Sequence, residues 1–136
     1  YCYHTLLDHP NLVIPFFAQG GPLWGKAFLR MIFPKLQEVM RKAMQIREPH
    51  VSDSRVVLEQ SIQILSQAYQ GRTYLVGEQF SRADLAATSL LAPLFMPPAY
   101  GLDWPSSMPE PLQTWVNSQA GHLEPFRRLY DEKRSF

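Results

Sequence analysis

The sequence carries a single cysteine, Cys2, among 136 residues. One thiol cannot close an internal disulfide, and such sparing use of cysteine points to a reducing compartment, here read as the cytoplasm. A charge excess is missing too. Thirteen basic residues face twelve acidic ones, leaving a net charge of +1, so neither nucleic acid nor an anionic membrane surface is an expected partner. No apolar run is long enough to span a bilayer. No stretch alternates apolar and polar residues as a strand would, and there is no internal repeat or low-complexity tract. The chain opens on Tyr1 rather than Met, without the basic start or cleavage pattern of a signal peptide. The expected context is a segment of a longer protein.

What the sequence does contain is apolar residues at helical spacing. A short helix is predicted near 1–8 and a looser one near 11–19, with Pro10 and Pro15 interrupting the apolar run. Gln19-Gly20-Gly21-Pro22 reads as a stop followed by a start, since glycine ends helices and proline suits a first turn. A long helix is predicted over 22–47, with Leu29, Ile32, Leu36, Val39 and Ala43 on its inward stripe and a kink at Pro34. Glu48-Pro49-His50 reads as a loop. The next helix is predicted over 53–70, starting at Ser52 or Asp53. Leu58, Ile62, Leu65 and Tyr69 form its stripe, and Gly71 is its stop. Further helices are predicted over 82–96, 109–120 and 124–133, separated by the proline- and glycine-rich stretch 97–108. Trp24, Phe28, Phe33, Trp115 and Phe126 read as core. The class is all-α, an irregular helical bundle, taken as a single domain over 1–136.

Chemistry-bearing residues are scattered. His4, His9, His50 and His122 include no pair at zinc-ligand spacing, and no metal site is expected. Cys2 has only His4 near it to activate a thiolate, so it reads as an incidental thiol. Gly20-Gly21 follows no strand and precedes no phosphate-loop lysine. No serine sits in a nucleophile elbow. Arg41-Lys42 and Arg127-Arg128 are placed near helix ends, where they complement the helix dipole; the alternative is a phosphate site.

One segment stands out. After Asp84 only Thr88 and Ser89 carry polar side chains until Pro97. A helix this apolar should be buried, and its first N–H groups would then lack water. Ser81 and Asp84, three residues apart, solve this locally as a capping box. The serine oxygen accepts from the Asp84 N–H, and the carboxylate accepts from the Ser81 N–H. Phe80 and Leu85 flank the box as a hydrophobic staple. Asp84 therefore reads as structural and readily ionised, because its partners are donors.

The run Tyr74-Leu75-Val76-Gly77 followed by Phe80-Ser81-Arg82-Ala83-Asp84-Leu85-Ala86 resembles the signature of the glutathione transferase C-terminal domain, where this box starts the central buried helix. Glu78 stands where Asp is commoner. The resemblance is closest over 70–98, extends over 22–69 and 109–134 in the manner of a bacterial branch, and is least over 1–21, where the first helix is shorter than the family's. It implies a thioredoxin-like domain of about 80 residues ahead of this one, carrying the thiol-activating residue and most glutathione contacts. That domain is absent from this chain. The resemblance thus implies no catalytic residue and no cofactor here, glutathione being a co-substrate of the parent. It also implies a hydrophobic small molecule as ligand; the apolar face left bare by the missing domain is expected to make this chain self-associate, as a homodimer. Because the family's first helix faces the active-site cleft, Tyr3, His4 and Leu7 become candidates for the co-substrate wall, the alternative being core packing or contact with the missing domain. The parent is expected to add glutathione thiolate to electrophiles. Alternatively, the domain serves as a non-catalytic interaction module, as the same fold does in translation elongation factor gamma and some aminoacyl-tRNA synthetases.

Overall fold

The computed structural model describes residues 1–134. Within them the chain is helical throughout, with no strand: α1 Cys2–Leu6, α2 Pro10–Ala18, α3 Gly25–Ala43, α4 His50–Ala68, α5 Arg82–Phe95, α6 Leu112–Ser118 and α7 Ala120–Arg134, plus a single 3-10 turn at Pro98–Tyr100. The chain resolves into two compact units. The first comprises Tyr1–Val56 and Leu102–Thr114; the second comprises Val57–Gly101 and Trp115–Phe136.

In the first unit, Pro10 opens α2 at its first position, where a missing N–H costs nothing, and Pro15 is carried inside the helix. The core is Leu7, Val13, Ile14 and Phe33, with Leu29, Leu36, Met40 and Ile46 packed against it. Burying a side chain such as Leu7 completely is worth about 1.5–3 kcal/mol. The inward residues of α3 are thus Leu29, Phe33, Leu36 and Met40, and the predicted stripe was out of phase in part: Val39 and Ala43 are exposed. Leu29 and Leu36 belong to both patterns, and a period of 3.6 residues accommodates either set between them. Trp24 and Phe28 are not core. They are 65% and 44% exposed and pack edge-to-face on each other at 5.8 Å, one turn apart on the side of α3 away from Phe33. Pro34 lies inside α3 without ending it.

The end of α3 is sharply built. Gln45 adopts φ 51°, the Ile46 N–H bonds to the Arg41 carbonyl at 2.8 Å, and the Gln45 N–H bonds to the Lys42 carbonyl at 3.3 Å. This is a Schellman turn with glutamine at the left-handed position. It returns Ile46 to the core. The α1–α2 corner is pinned to α3 by Asp8, whose Oδ1 accepts from Arg41 at 2.7 Å and from Gln37 at 3.2 Å. The proline-rich stretch is tied to α2. Trp104 stacks on Phe16 at 5.4 Å, and the Asp103 N–H bonds to the Gln19 side chain.

Helix α4 begins at His50 rather than at Ser52 or Asp53. Its capping acceptor is Glu48, whose Oε2 takes the Ser52 N–H at 3.3 Å and the Ser52 hydroxyl at 2.6 Å. The same device recurs before α6, where Glu110 Oε2 takes the Thr114 N–H at 3.2 Å. Each glutamate directly precedes a proline that cannot donate.

In the second unit, α5 packs on α7. Ala87, Leu91, Ala92, Leu94 and Phe95 of α5 are buried together with Leu123, Phe126, Leu129 and Tyr130 of α7. Tyr69 and Phe126 meet edge-to-face at 5.4 Å, as do Phe95 and Tyr130 at 6.0 Å. The stripe read for α4 lies inward at Ile62 and Tyr69, which are buried, and at Leu58 and Leu65, which are half-buried. Trp115 donates its indole N–H to Glu59 at 2.6 Å. Helix α5 is buried on one face only, contrary to the expectation of a wholly buried helix. Leu85 and Leu90 are exposed. Arg127 and Arg128 lie in the middle of α7, not at its end, so the helix dipole does not explain them; Arg127 instead sits over the Phe95 ring at 5.9 Å.

Candidate functional site

Two polar places in this apolar molecule call for an account. The first is the start of α5. Asp84 is completely buried, and both its oxygens are engaged. Oδ2 accepts the Ser81 N–H at 2.9 Å and the Ser81 hydroxyl at 2.6 Å. Oδ1 accepts the Leu75 N–H at 2.7 Å and the Tyr69 hydroxyl at 3.0 Å. Ser81 and Asp84 form a capping box with both halves present: the Ser81 side chain takes the Asp84 N–H, the carboxylate takes the Ser81 N–H, and the Ser81 hydroxyl donates in turn to the carboxylate.

Burial pushes the Asp84 carboxyl up. The Ser81 hydroxyl, the Leu75 and Ser81 amides and the Tyr69 hydroxyl outweigh it, so the net direction is down. Tyr69 moves the opposite way: burial, its bond to Asp84 and the nearby negative charge all raise it. Thr88 donates to the Asp84 backbone carbonyl at 2.7 Å, closing the site from below. Nothing here is left to react. Phe80 and Leu85 are both partly exposed and border one small cleft beside α7. Phe80 meets Tyr74 edge-on at 6.3 Å. Sequence spacing signalled Ser81, whereas Tyr69 and Leu75 went unread because they reach Asp84 from fifteen and nine positions away.

The second place is a cleft of about 330 Å³ within the first unit. Helix α1 and the corner after it contribute His4, Thr5, Asp8 and His9; the start of α4 contributes Glu48, Ser52 and Arg55. Glu110 closes the third side. The apolar part is small: Val51, Pro111 and the ring of Tyr1, over which Arg55 sits at 5.7 Å. Nδ1 of His4 is buried and has no hydrogen-bond partner among the described residues. An unpaired buried polar atom costs about 1–3 kcal/mol.

Of the three residues predicted for a co-substrate wall, the structure brings only His4 to this cleft. Leu7 is fully buried in the core of the first unit, and Tyr3 is exposed and borders no part of the cleft. Positions 3, 4 and 7 fall within about 100° of arc on a helix, so their spacing allowed a shared surface; packing against Val13, Ile14 and Phe33 takes Leu7 into the core instead. Glu48, Arg55 and Glu110 gave no signal in the sequence, since no motif links positions so far apart.

Cys2 is half-buried. Burial raises its thiol more than the N-terminal charge and a backbone hydrogen bond lower it, so it is no ready thiolate. Among the described residues no group of three His, Cys, Asp or Glu could hold a metal ion, and no helix is long and apolar enough to cross a membrane.

No curated protein and no solved structure matches the chain. The model of the family described as "Glutathione S-transferase, C-terminal domain" matches residues 25–119. That stretch runs from the start of α3 through α6 and takes in the whole Asp84 node. A helical chain with a capping box at the head of α5, matched over most of its length, belongs to the glutathione S-transferase C-terminal domain family.

Proposed function

We propose that this chain is the substrate-binding helical half of a glutathione transferase-like protein, and that the parent adds glutathione thiolate to electrophilic substrates. The family match over residues 25–119 carries the reading. Conjugation divides into two tasks. A thiol must be held as thiolate, and an electrophile must be seated beside it. A preceding thioredoxin-like domain performs the first task and this chain the second, in a cytoplasmic homodimer. His4, on the wall of the α1 cleft, is the residue best placed to face the electrophile.

A specific feature also supports an alternative, a non-catalytic interaction module. The outer side of α3 exposes Leu23, Trp24, Phe28 and Met31 together. Clustered exposed apolar side chains favour association.

The deciding experiment assays glutathione conjugation to a general aromatic electrophile, using the longer protein and this chain side by side. Activity in the longer protein and none in the chain supports the division of labour. Silence in both favours the interaction module. Activity in the chain alone places the chemistry within it, and Cys2 is then the residue to mutate.

A further inference from the structure

The outward face of α3 is one stripe with two unlike halves. A helix turns about 100° per residue, so Trp24, Phe28 and Met31 fall on the same narrow arc as Lys35, Val39 and Lys42. All six are exposed, on the side of the helix away from the buried Phe33. The N-terminal half is apolar: Trp24, Phe28 and Met31 follow the wholly exposed Leu23. The C-terminal half is cationic: Lys35 and Lys42 stand on either side of Val39, and Glu38 at the edge of the arc bonds to Lys35 at 2.7 Å. Trp24 and Phe28 pack edge-to-face, an arrangement that leaves a face of each ring unused.

The segregation of the two halves names the occupant. A helix that lies on an anionic membrane carries cations along the whole length of its apolar stripe; here they stand at one end. A second α3 running the opposite way sets cations against aromatic rings at both ends of the pair. Lysine over an aromatic face is attractive, and its methylene stem covers apolar surface. With the two-fold axis at residues 33–34, the helical spacing brings Trp24 opposite Lys42 of the second copy, Phe28 opposite Val39 and Met31 opposite Lys35. Within one copy, Trp24 and Lys42 are about 27 Å apart along the helix and do not meet. We propose that α3 pairs antiparallel with α3 of a second copy of this chain, through Trp24 against Lys42 and Phe28 against Val39. The inference rests on the homodimeric reading above and assigns the face through which the copies meet. A stripe one helix face wide and about 27 Å long buries less than the roughly 1,200 Å² of a stable interface. The chain alone therefore pairs weakly, with an expected Kd between about 10 µM and 1 mM.

The test is sedimentation equilibrium of the 136-residue chain across that concentration range. Trp24→Lys sets lysine against Lys42 of the other copy and should weaken pairing by about tenfold or more. Lys42→Glu should weaken it too. The double variant, Trp24→Lys with Lys42→Glu, joins opposite charges across the pair and should associate more tightly than either single variant. That recovery requires the antiparallel register, because the two positions are too far apart to interact within one copy. Both side chains are exposed, and helical circular dichroism checks that each variant is folded. A monomer throughout the range overturns the proposal, and such a monomer that binds vesicles of anionic phospholipid gives the face to a membrane instead. A dimer unmoved by Trp24→Lys, or a double variant no tighter than the singles, also overturns it. The longer protein separates the two levels: a dimer indifferent to Trp24→Lys keeps the homodimer and removes only this face, whereas a monomer removes both.

Discussion

Asp84 and His4 are both polar side chains in apolar surroundings, and the chain treats them in opposite ways. Around Asp84 both carboxylate oxygens accept two hydrogen bonds each, from Tyr69 just after α4, from Leu75 in the loop that follows and from Ser81 at the helix cap. Around His4 a buried nitrogen is left alone at the edge of a cavity. A closed node of this kind fixes chain geometry and offers nothing to a ligand. An open one leaves a buried polar atom at a cost in stability. The distinction separates a satisfied buried group from an unsatisfied one without reference to residue type, and it can be attacked from either side.

The largest effect belongs to Asp84→Ala. Removing the carboxylate strands the buried Tyr69 hydroxyl and the part-buried Leu75 and Ser81 amides, at about 1–3 kcal/mol for each that water does not reach. Urea unfolding should show a loss of at least about 3 kcal/mol, a large part of the total stability of a domain this size. A loss near zero would mean that the node is not closed. Tyr69→Phe removes one donor and leaves Oδ1 its bond to Leu75. About 1–2 kcal/mol should be lost in the same measurement.

The node also sets how stability varies with pH. Asp84 is held below its unfolded value, so its contribution is present above about pH 4 and is lost as pH falls through the folded value. Tyr69 is held above its unfolded value. Its contribution is present below about pH 10 and is lost as pH rises beyond that. Unfolding midpoints across the two ranges should fall at both ends. Asp84→Asn should flatten the acid limb and Tyr69→Phe the alkaline one.

The smallest effect is the counterpart at the open site. His4→Leu deletes a buried polar atom that has no partner, so stability should change by less than about 1 kcal/mol, or rise. A loss as large as that of Asp84→Ala would erase the contrast.

How much of this could be read from the sequence depended on distance along the chain. The helices were legible because a stripe of apolar residues and its stop signals are local. So was the capping box, whose two members lie within one turn. The phase of α3 was not. Leu29 and Leu36 are compatible with Val39 inward or with Met40 inward, and only packing against Leu7, Val13 and Ile14 selects Met40. Trp24 and Phe28 misled for a related reason: aromatic bulk argues for burial, but it does not say on which side of a helix a core lies. The cleft was invisible because its walls come from residues 4–9, 48–55 and 110–111. The Glu-Pro pairs at 48 and 110 could have signalled helix starts, yet nothing in them announces a common surface.

The Leu75 amide is bonded to Asp84 although its segment forms neither helix nor strand. Backbone hydrogens in such segments ordinarily exchange with solvent through small local openings. This one is released only when a buried carboxylate gives up a partner. Its exchange should therefore be as slow as that of the interior of α5, making one loop hydrogen a reporter of the cooperative opening of the second unit.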